Sequence, residues 1–320
     1  MPEERENAEE ESGTAAEPAA VGNSTGNHPT EDTPAMENGS VTVSESTLPE
    51  SLADARFGLI GTGQMGSALV GGWLKSGVLT TDQITATDVS EASRNDFFVR
   101  TGIAVRDSNT DIVRESDVII LAVKPQVFAD VAAEIRKYTA NKLFLSILAG
   151  TTLATLRDRL GPDCRIIRAM SNTPCLVGLG ACAFSPANSA TEDDARLAAT
   201  LLGAVGMATQ LDESLLDAVT GLSGSGPAFV YMMIEALADG GVKSGLPRAV
   251  ALQLAAQTVY GSAVMVQRTG EHPGVLKDRV CSPGGTTIAG VAALEDGGMR
   301  GSLIRAVVEA THRSRELSAK

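Results

Sequence analysis

Two glycine-rich stretches of this sequence have residue types and spacing suited to holding an anion. In "LIGTGQMG" the glycines Gly61, Gly63 and Gly66 follow a short apolar run, Phe57 to Ile60, and precede Ala68, Leu69, Val70, Trp73 and Leu74 at helical period. Gly61 permits a tight turn, Gly63 has no side chain to keep a pyrophosphate away, and Gly66 lets helix and strand pack closely. The helix start then turns its unpaired N–H groups toward a bound anion, which is the chemistry of dinucleotide binding. The second stretch is "CSPGGTTIAG", Cys281 to Gly290. Ser282, Pro283, Gly284 and Gly285 run into a helix beginning near Thr286, so backbone N–H groups and the Thr286 and Thr287 hydroxyls converge on one point. No strand precedes it and no Gly-Lys-Ser/Thr closes it, so a small carboxylate fits better than a triphosphate. Ser, Pro, Gly and Thr before an apolar run also describe an ordinary helix N-cap, and that reading stays open here.

The first stretch needs a sheet around it. "QITATDV", "SDVIILAVKP", "KLFLSILAG" and "CRIIRAM" read as strands, with helical stretches such as "QVFADVAAEIRKY" between them. Such alternation predicts an α/β, Rossmann-type doubly wound parallel sheet. Its ligands bind at the carboxyl ends of the strands, where "AVKP" (Ala122 to Pro125) and "AGTT" (Ala149 to Thr152) fall. Asp88 ends the second strand, where an acid takes ribose hydroxyls of NAD; Ser90, Ser93 and Arg94 follow and suit the extra phosphate of NADP. A turn or N-cap role is the alternative for Asp88.

After "MSNTPCLVGLGACAF" the strands thin out, and from Leu215 the chain reads as helices. Pro227 and Pro247 fall near helix starts, and Gly240, Gly241, Gly297 and Gly298 near ends. The helices are apolar on more than one face, which predicts packing against a second copy of the chain. "AFVYMMIEALA", interrupted by Glu235 and closed by Asp239, reads as a buried core helix too short to span a bilayer. The expected organisation is a tail over 1–55, a dinucleotide-binding domain over 56–214 and an all-helical substrate and dimerisation domain over 215–320.

Charge sets the tail apart. The formal net charge is −13, yet residues 1–55 hold 13 acids against the single base Arg5, and the rest holds 26 acids and 25 bases. With no aromatic residue, that stretch cannot bury enough surface to offset its ordering entropy, so disorder is expected, and its deletion should leave fold and activity intact. A near-neutral body gives no sign of nucleic-acid binding. No Arg-rich transit segment or apolar leader is seen, which predicts a cytoplasmic protein. Cys164, Cys175, Cys182 and Cys281 form no CxxC pair, so neither a metal site nor a disulfide framework is expected. Of the two histidines in the body, His272 precedes Pro273 in an expected loop and His312 lies in the last helix. No Ser/His/Asp nucleophile constellation can be assembled from them.

Taken in order, "GTGQMG", "AVKP", "MSNTP", "GLSGSGPAF", "ADGGVKSGLP", "HPGVLKDRVCSPGGTTIAGVAALE" and "SRELS" resemble the pyrroline-5-carboxylate reductase family over residues 56–320. The resemblance implies reduction of the C=N bond of 1-pyrroline-5-carboxylate to L-proline by NADPH or NADH, in a homodimer assembled into a larger homo-oligomer. It implies that the dinucleotide meets Ile60, Gly61, Thr62, Gly63, Gln64, Met65 and Gly66, then Thr87 or Asp88, Asn109, Ala122, Val123, Lys124 and Pro125, and finally Ile147, Leu148 and Ala149. By the same resemblance Ser282, Gly284, Gly285, Thr286 and Thr287 hold the substrate; the chemistry of imine reduction makes Thr287 the catalytic candidate, its hydroxyl at the imine nitrogen. Ser171 departs mildly from the family pattern, and Gly270 stands where some relatives carry Glu, with Glu271 beside it. Imine reduction suits a chain poor in histidine, because a protonated imine is already electrophilic and the protein mainly supplies position. Two other readings compete: another two-domain NAD(P)-dependent imine or hydroxyacid reductase, and a dinucleotide sensor without turnover. A lysine on the helix after "GLSGSG" would favour a hydroxyacid enzyme, and the first one there is Lys243, beyond the turn.

Overall fold

The computed structural model describes residues 48–318. Eight strands form one sheet: β1 (Phe57–Ile60), β2 (Ile84–Thr87), β3 (Val105–Arg106), β4 (Val118–Leu121), β5 (Leu143–Ser146), β6 (Arg165–Met170), β7 (Gly180–Pro186) and β8 (Gly206–Gln210). Their order is β3-β2-β1-β4-β5-β6-β7-β8, with the strand sequence reversing direction across the sheet between β1 and β4. Strands β1 to β6 are parallel. β7 runs antiparallel to β6, and β8 is parallel to β7, so the sheet is parallel-dominated, as the doubly wound reading expected, with one reversal at β7. The cause is chain length: only residues 171–179 join β6 to β7, and a parallel return needs a crossover of a dozen or more.

Side-chain alternation along the central strands builds two apolar layers. Leu59, Ile120, Leu145 and Ile167 face one side, with Trp73 and Leu69 of α1 (Gln64–Ser76), Phe97 of α2 (Glu91–Thr101) and Leu197 and Leu201 of α6 (Glu192–Gly203). Ile60, Ile119, Leu121, Phe144 and Ile166 face the other. There they meet Ile112 of α3 (Asn109–Glu115), Phe128 and Ile135 of α4 (Phe128–Ile135) and Leu156 and Leu160 of α5 (Leu153–Leu160). A strand buried on both faces reads as the continuous apolar run seen in "VIIL". The only tryptophan of the chain is fully buried, and its indole N–H donates to the Leu201 carbonyl at 2.7 Å, tying α1 to α6.

The helical half comprises α7 (Leu216–Val219), a π-helical segment over Thr220–Gly224, α8 (Gly226–Lys243), α9 (Arg248–Thr269), α10 (Pro273–Val280), α11 (Thr286–Asp296) and α12 (Met299–Ser318). α8 and α9 pack on small residues, Ala238 against Ala251 and Ala255. The buried-core reading of "AFVYMMIEALA" is corrected by the structure: Tyr231, Met232 and Leu237 are exposed on the single chain, and Ala238 alone is buried in α8. Leu252, Leu254, Tyr260 and Met265 of α9 are exposed as well. α12 folds back against the π segment, where Gly221 is required: a Cβ there would lie 2.2 Å from Thr311 Oγ1 and 2.7 Å from the Val307 carbonyl oxygen.

Residues 1–47 of the expected tail lie outside the described residues. The remainder of that stretch is corrected: Glu50–Leu52 form a 3-10 turn, Ala55 is buried, and Leu48 and Leu52 pack on the core layer that contains Phe57.

Candidate functional site

Three backbone hydrogen bonds draw the strand ends together. Gly61 N–H donates to Thr87 O at 2.9 Å, Ala122 N–H to Ile60 O at 2.9 Å, and Ile147 N–H to Leu121 O at 3.0 Å. The glycine-rich turn, the end of β2, the "AVKP" segment and the "ILAG" segment thereby line up along one edge of the sheet. Gly61 has φ +102°, and a Cβ on it would lie 2.7 Å from the Ala122 carbonyl oxygen, so a side chain would push the turn off the "AVKP" backbone. A Cβ on Gly66 would fall 2.3 Å from the Gly61 carbonyl oxygen, whereas one on Gly63, the N-cap of α1, would meet nothing within 4 Å. Gly66 is therefore spent on packing, and Gly63 opens the space in front of the α1 N-terminus. Thr62 is buried, Gln64 is exposed and Met65 packs on the core. Lys124 N-caps a 3-10 turn begun by Pro125, with Val123 packed on the second core layer. Ile147 and Leu148 continue from β5, Leu148 buried, into Ala149.

Asp88 is engaged by the protein. Its Oδ2 accepts from Thr62 N–H at 2.8 Å and from Thr62 Oγ1 at 3.2 Å, and its Oδ1 accepts from Ser90 N–H at 2.8 Å. The carboxylate thus locks the glycine turn to the end of β2 and makes the turn ahead of α2, whose N-cap is Ser90. Arg94, one turn into α2, donates from Nη1 to the Asp88 and Val89 carbonyls at 2.9 and 3.2 Å, which holds its guanidinium beside that corner. Asn109, first residue of α3, is buried and donates from Nδ2 to Glu134 Oε2 at 2.8 Å.

The Ser282–Thr287 loop lies at the start of α11, as its sequence predicts. Gly284 adopts φ +66°, and Gly285 is the N-cap with no side-chain cap bond. Thr286 and Thr287 open the helix. A Cβ on Gly285 would lie 2.2 Å from Ser282 Oγ, so the serine hydroxyl folds over the glycine toward the helix start. The hydrogen bonds of this loop are internal, Gly285 N–H to Ser282 O at 3.0 Å and Ala289 N–H to Gly285 O at 3.4 Å. No hydrogen bond among the described residues joins it to the strand ends. Cys281, next to the loop, is half-buried, and its N–H donates to Asp278 O. His272, expected in a loop, is the N-cap of α10 and accepts from Gly274 N–H through Nδ1 at 3.1 Å.

One group of residues was missed from sequence. Arg168, 4% exposed in β6, pairs through Nη1 with Glu213 Oε1 at 3.0 Å and through Nη2 with Asp217 Oδ1 at 3.6 Å. Glu213 Oε1 also accepts from Leu153 N–H at 2.6 Å, capping α5 just after the "ILAG" segment. Asp217 Oδ1 accepts from Ser314 Oγ at 2.7 Å and from Ser318 Oγ at 3.4 Å. Gly150, at φ +71°, lies against the other side of the same helix end, and a Cβ on it would touch Leu317 Cβ at 3.4 Å. The end of α12 is therefore fastened beside the strand ends where the residues expected to meet the dinucleotide lie. The signal was legible in principle: an arginine inside "CRIIRAM" cannot be buried without a carboxylate partner.

Comparison with known proteins agrees with this geometry. Residues 213–317 match the family model "Pyrroline-5-carboxylate reductase dimerisation", and residues 56–150 match "NADP oxidoreductase coenzyme F420-dependent". The chain is 51% identical to a pyrroline-5-carboxylate reductase of Glycine max, over 82% of this chain and 96% of the relative. It is 42% identical to that of Escherichia coli, over 83% and 99%. Among solved structures it resembles the Plasmodium falciparum pyrroline carboxylate reductase with NADP bound, at TM-score 0.76 and 32% identity, covering 83% of this chain and 98% of that one. The Coxiella burnetii pyrroline-5-carboxylate reductase superposes at TM-score 0.78, also at 32% identity, covering 83% and 99%. A switch-point sheet edge with a glycine cradle, a helical half matched by the dimerisation model and relatives at this identity place the chain in one family: it is a member of the pyrroline-5-carboxylate reductases, oxidoreductases that use NAD(P)H.

Proposed function

We propose that this chain reduces the C=N bond of 1-pyrroline-5-carboxylate to L-proline, and the observation that carries this is the pairing of a dinucleotide cradle at the sheet edge with an uncapped helix start at Gly285. The cradle fits the cofactor: Gly63 leaves open space before the α1 N-terminus, so a pyrophosphate can approach the backbone N–H groups. Bound NADPH supplies the hydride. The chain's residues do the rest by position. Thr286 and Thr287 N–H groups, with Ser282 Oγ, hold the substrate carboxylate, and the Thr287 hydroxyl hydrogen-bonds the ring nitrogen and keeps its proton in place. Backbone from Ala122 to Pro125 and from Ile147 to Ala149, aligned at the strand ends, would hold the dinucleotide beyond the glycine turn. Asn109, its amide held by Glu134, would contribute to holding the dinucleotide.

NADPH is the preferred cofactor in this reading. Asp88 already accepts three hydrogen bonds from protein donors, which leaves it little capacity for a ribose diol, while Ser90 and Arg94 stand at the same corner for a 2′-phosphate. The working form is a homodimer. The exposed apolar residues of α8 and α9 face the partner copy, and this assignment also accounts for α9, which by length and composition alone could cross a membrane. In the dimer the Ser282–Thr287 loop meets a cofactor edge, and dimers stack into a larger ring in the cytoplasm. The test is oxidation of NADPH and NADH by the purified protein with pyrroline-5-carboxylate, in parallel with dinucleotide binding. Turnover that falls in Thr287→Ala with dinucleotide affinity unchanged supports the assignment; dinucleotide binding without turnover in the wild type refutes it.

A further inference from the structure

Cys175 and Cys182 take no part in the reductase site. Cys175 lies in the 3-10 turn Thr173–Val177 that follows β6, and Cys182 lies on β7. Both are buried, 2% and 3% exposed, and their sulfur atoms stand 3.6 Å apart. Gly180 makes the approach possible, since a Cβ on it would lie 2.3 Å from Cys175 Sγ. The two thiols are unequal. The hydrogen bond with Cys182 holds the Cys175 thiol down to about 7, while the same bond and burial push Cys182 up.

We propose that Cys175 and Cys182 form a peroxide-responsive dithiol that closes to a disulfide. Cys175 sulfur, as thiolate, attacks one oxygen of a hydroperoxide; the O–O bond breaks, the other oxygen leaves and takes a proton, and Cys175 becomes a sulfenic acid. Cys182 sulfur then attacks Cys175 sulfur, the sulfenic hydroxyl leaves as water with the Cys182 proton, and the S–S bond forms. Two thiols are oxidised by two electrons, and the hydroperoxide is reduced by the same two. Closure shortens the sulfur separation from 3.6 Å to about 2 Å, which the turn can supply because it ends at Gly178 in a left-handed conformation. Leu176, Val177 and Leu179, which precede β7 in the segment between the two cysteines, are exposed, so the turn can lift and admit a small oxidant without unpairing β7. Cys164 and Cys281 have no second thiol at hand: the first is buried and its thiol pushed up by that burial, the second is half-buried beside the substrate loop. The turn packs against α1, and Asn172 just before it bonds both Ala181 N–H and the Ser223 carbonyl. Oxidation therefore clamps the segment between the dinucleotide helix and the π segment.

The test uses the full-length wild-type protein, treated folded with hydrogen peroxide, then denatured, alkylated and digested with trypsin. The expected result is a peptide Ala169–Arg196 lighter by two hydrogens and unalkylated, restored to two alkylated cysteines by dithiothreitol. In Cys182→Ser the same treatment should leave Cys175 as a sulfenic acid that dimedone captures. Wild-type protein in which Cys175 and Cys182 both alkylate after peroxide, or in which Cys164 or Cys281 oxidises while the pair stays reduced, overturns the proposal. The wild-type readout stands even where the variant fails to fold.

Discussion

Gly285→Ala separates a binding role for the α11 start from a merely structural one. Gly285 has φ −79°, a conformation open to alanine, so the backbone tolerates the change. Space does not: the added Cβ would lie 2.2 Å from Ser282 Oγ, and the serine must rotate out of its place over the helix start. If that hydroxyl donates to the substrate carboxylate, a hydrogen bond to a charged group is lost, about 1.5–3 kcal/mol. The expected loss in kcat/KM for pyrroline-5-carboxylate is therefore roughly 10- to 150-fold, mostly in KM, with dinucleotide affinity unchanged. Gly284→Ala supplies the contrast. No atom lies within 4 Å of its added Cβ, but its φ of +66° imposes left-handed strain of about 1–2 kcal/mol, which lowers thermal stability whatever the ligand. Steady-state kinetics on both variants, with melting curves with and without substrate, resolve the two effects. A Gly285→Ala enzyme with normal KM would show that Ser282 and the helix start do not hold the carboxylate. Loss confined to dinucleotide binding would refute the division of the site into two anion cradles.

Three further outcomes are expected. Arg94→Gln should lower kcat/KM with NADPH by roughly 10- to 100-fold, leave the NADH value nearly unchanged and weaken binding of 2′,5′-ADP, as loss of one charged contact to a phosphate requires; an unchanged NADPH to NADH ratio rejects the specificity assignment. Arg168→Met leaves the Glu213 and Asp217 carboxylates facing each other without a cation, and because Glu213 is about a third exposed the cost should sit near 2–3 kcal/mol, below the full range for a buried pair. Thermal unfolding checks it, and an unchanged melting temperature would show that the α12 fastening contributes nothing. Removal of residues 1–47 should leave melting and turnover as they are, whereas removal of 1–55 takes Leu48, Leu52 and Ala55 from the core layer and should cost about 2–3 kcal/mol in denaturant unfolding.

What could be read from the sequence follows the range over which each feature is determined. The glycine turn was legible because its constraints are local: Gly61 and Gly66 answer to atoms within a few residues or on the neighbouring strand, and Gly63 between them faces open space. The same holds for the α11 start, where Gly285 and Ser282 settle their geometry between themselves. The reversed strand β7 was hidden because its direction depends on the length of one connection, not on the composition of "ACAF". The Arg168 cluster was hidden for another reason. Its carboxylates come from Glu213 and Asp217, some 45 residues away, and only the fold decides which of many acids arrives. Cys175 and Cys182 show no recognisable spacing, since their approach depends on a 3-10 turn and on the missing side chain of Gly180.

The α8 reading shows a different limit. An apolar run such as "AFVYMMIEALA" reports that these side chains leave water, and it does not report which molecule covers them. Within one chain Tyr231, Met232 and Leu237 stay exposed, while the sheet strands, equally apolar, are covered on both faces by the chain's own helices. The difference lies in what is left over: six helices serve the two faces of the sheet, and α9 covers one side of α8, around Ala238, Ala251 and Ala255 with Ile234 and Val242 packed against them, while Tyr231, Met232 and Leu237 stay outside that contact. The residues matched by the dimerisation model include both helices. A periodicity argument thus does not separate a chain's own core from the contact surface of the homo-oligomer that the dimerisation match supports. The Ser282–Thr287 loop follows the same logic: its sequence marks an anion site, and among the described residues its hydrogen bonds are made within the loop and its own helix.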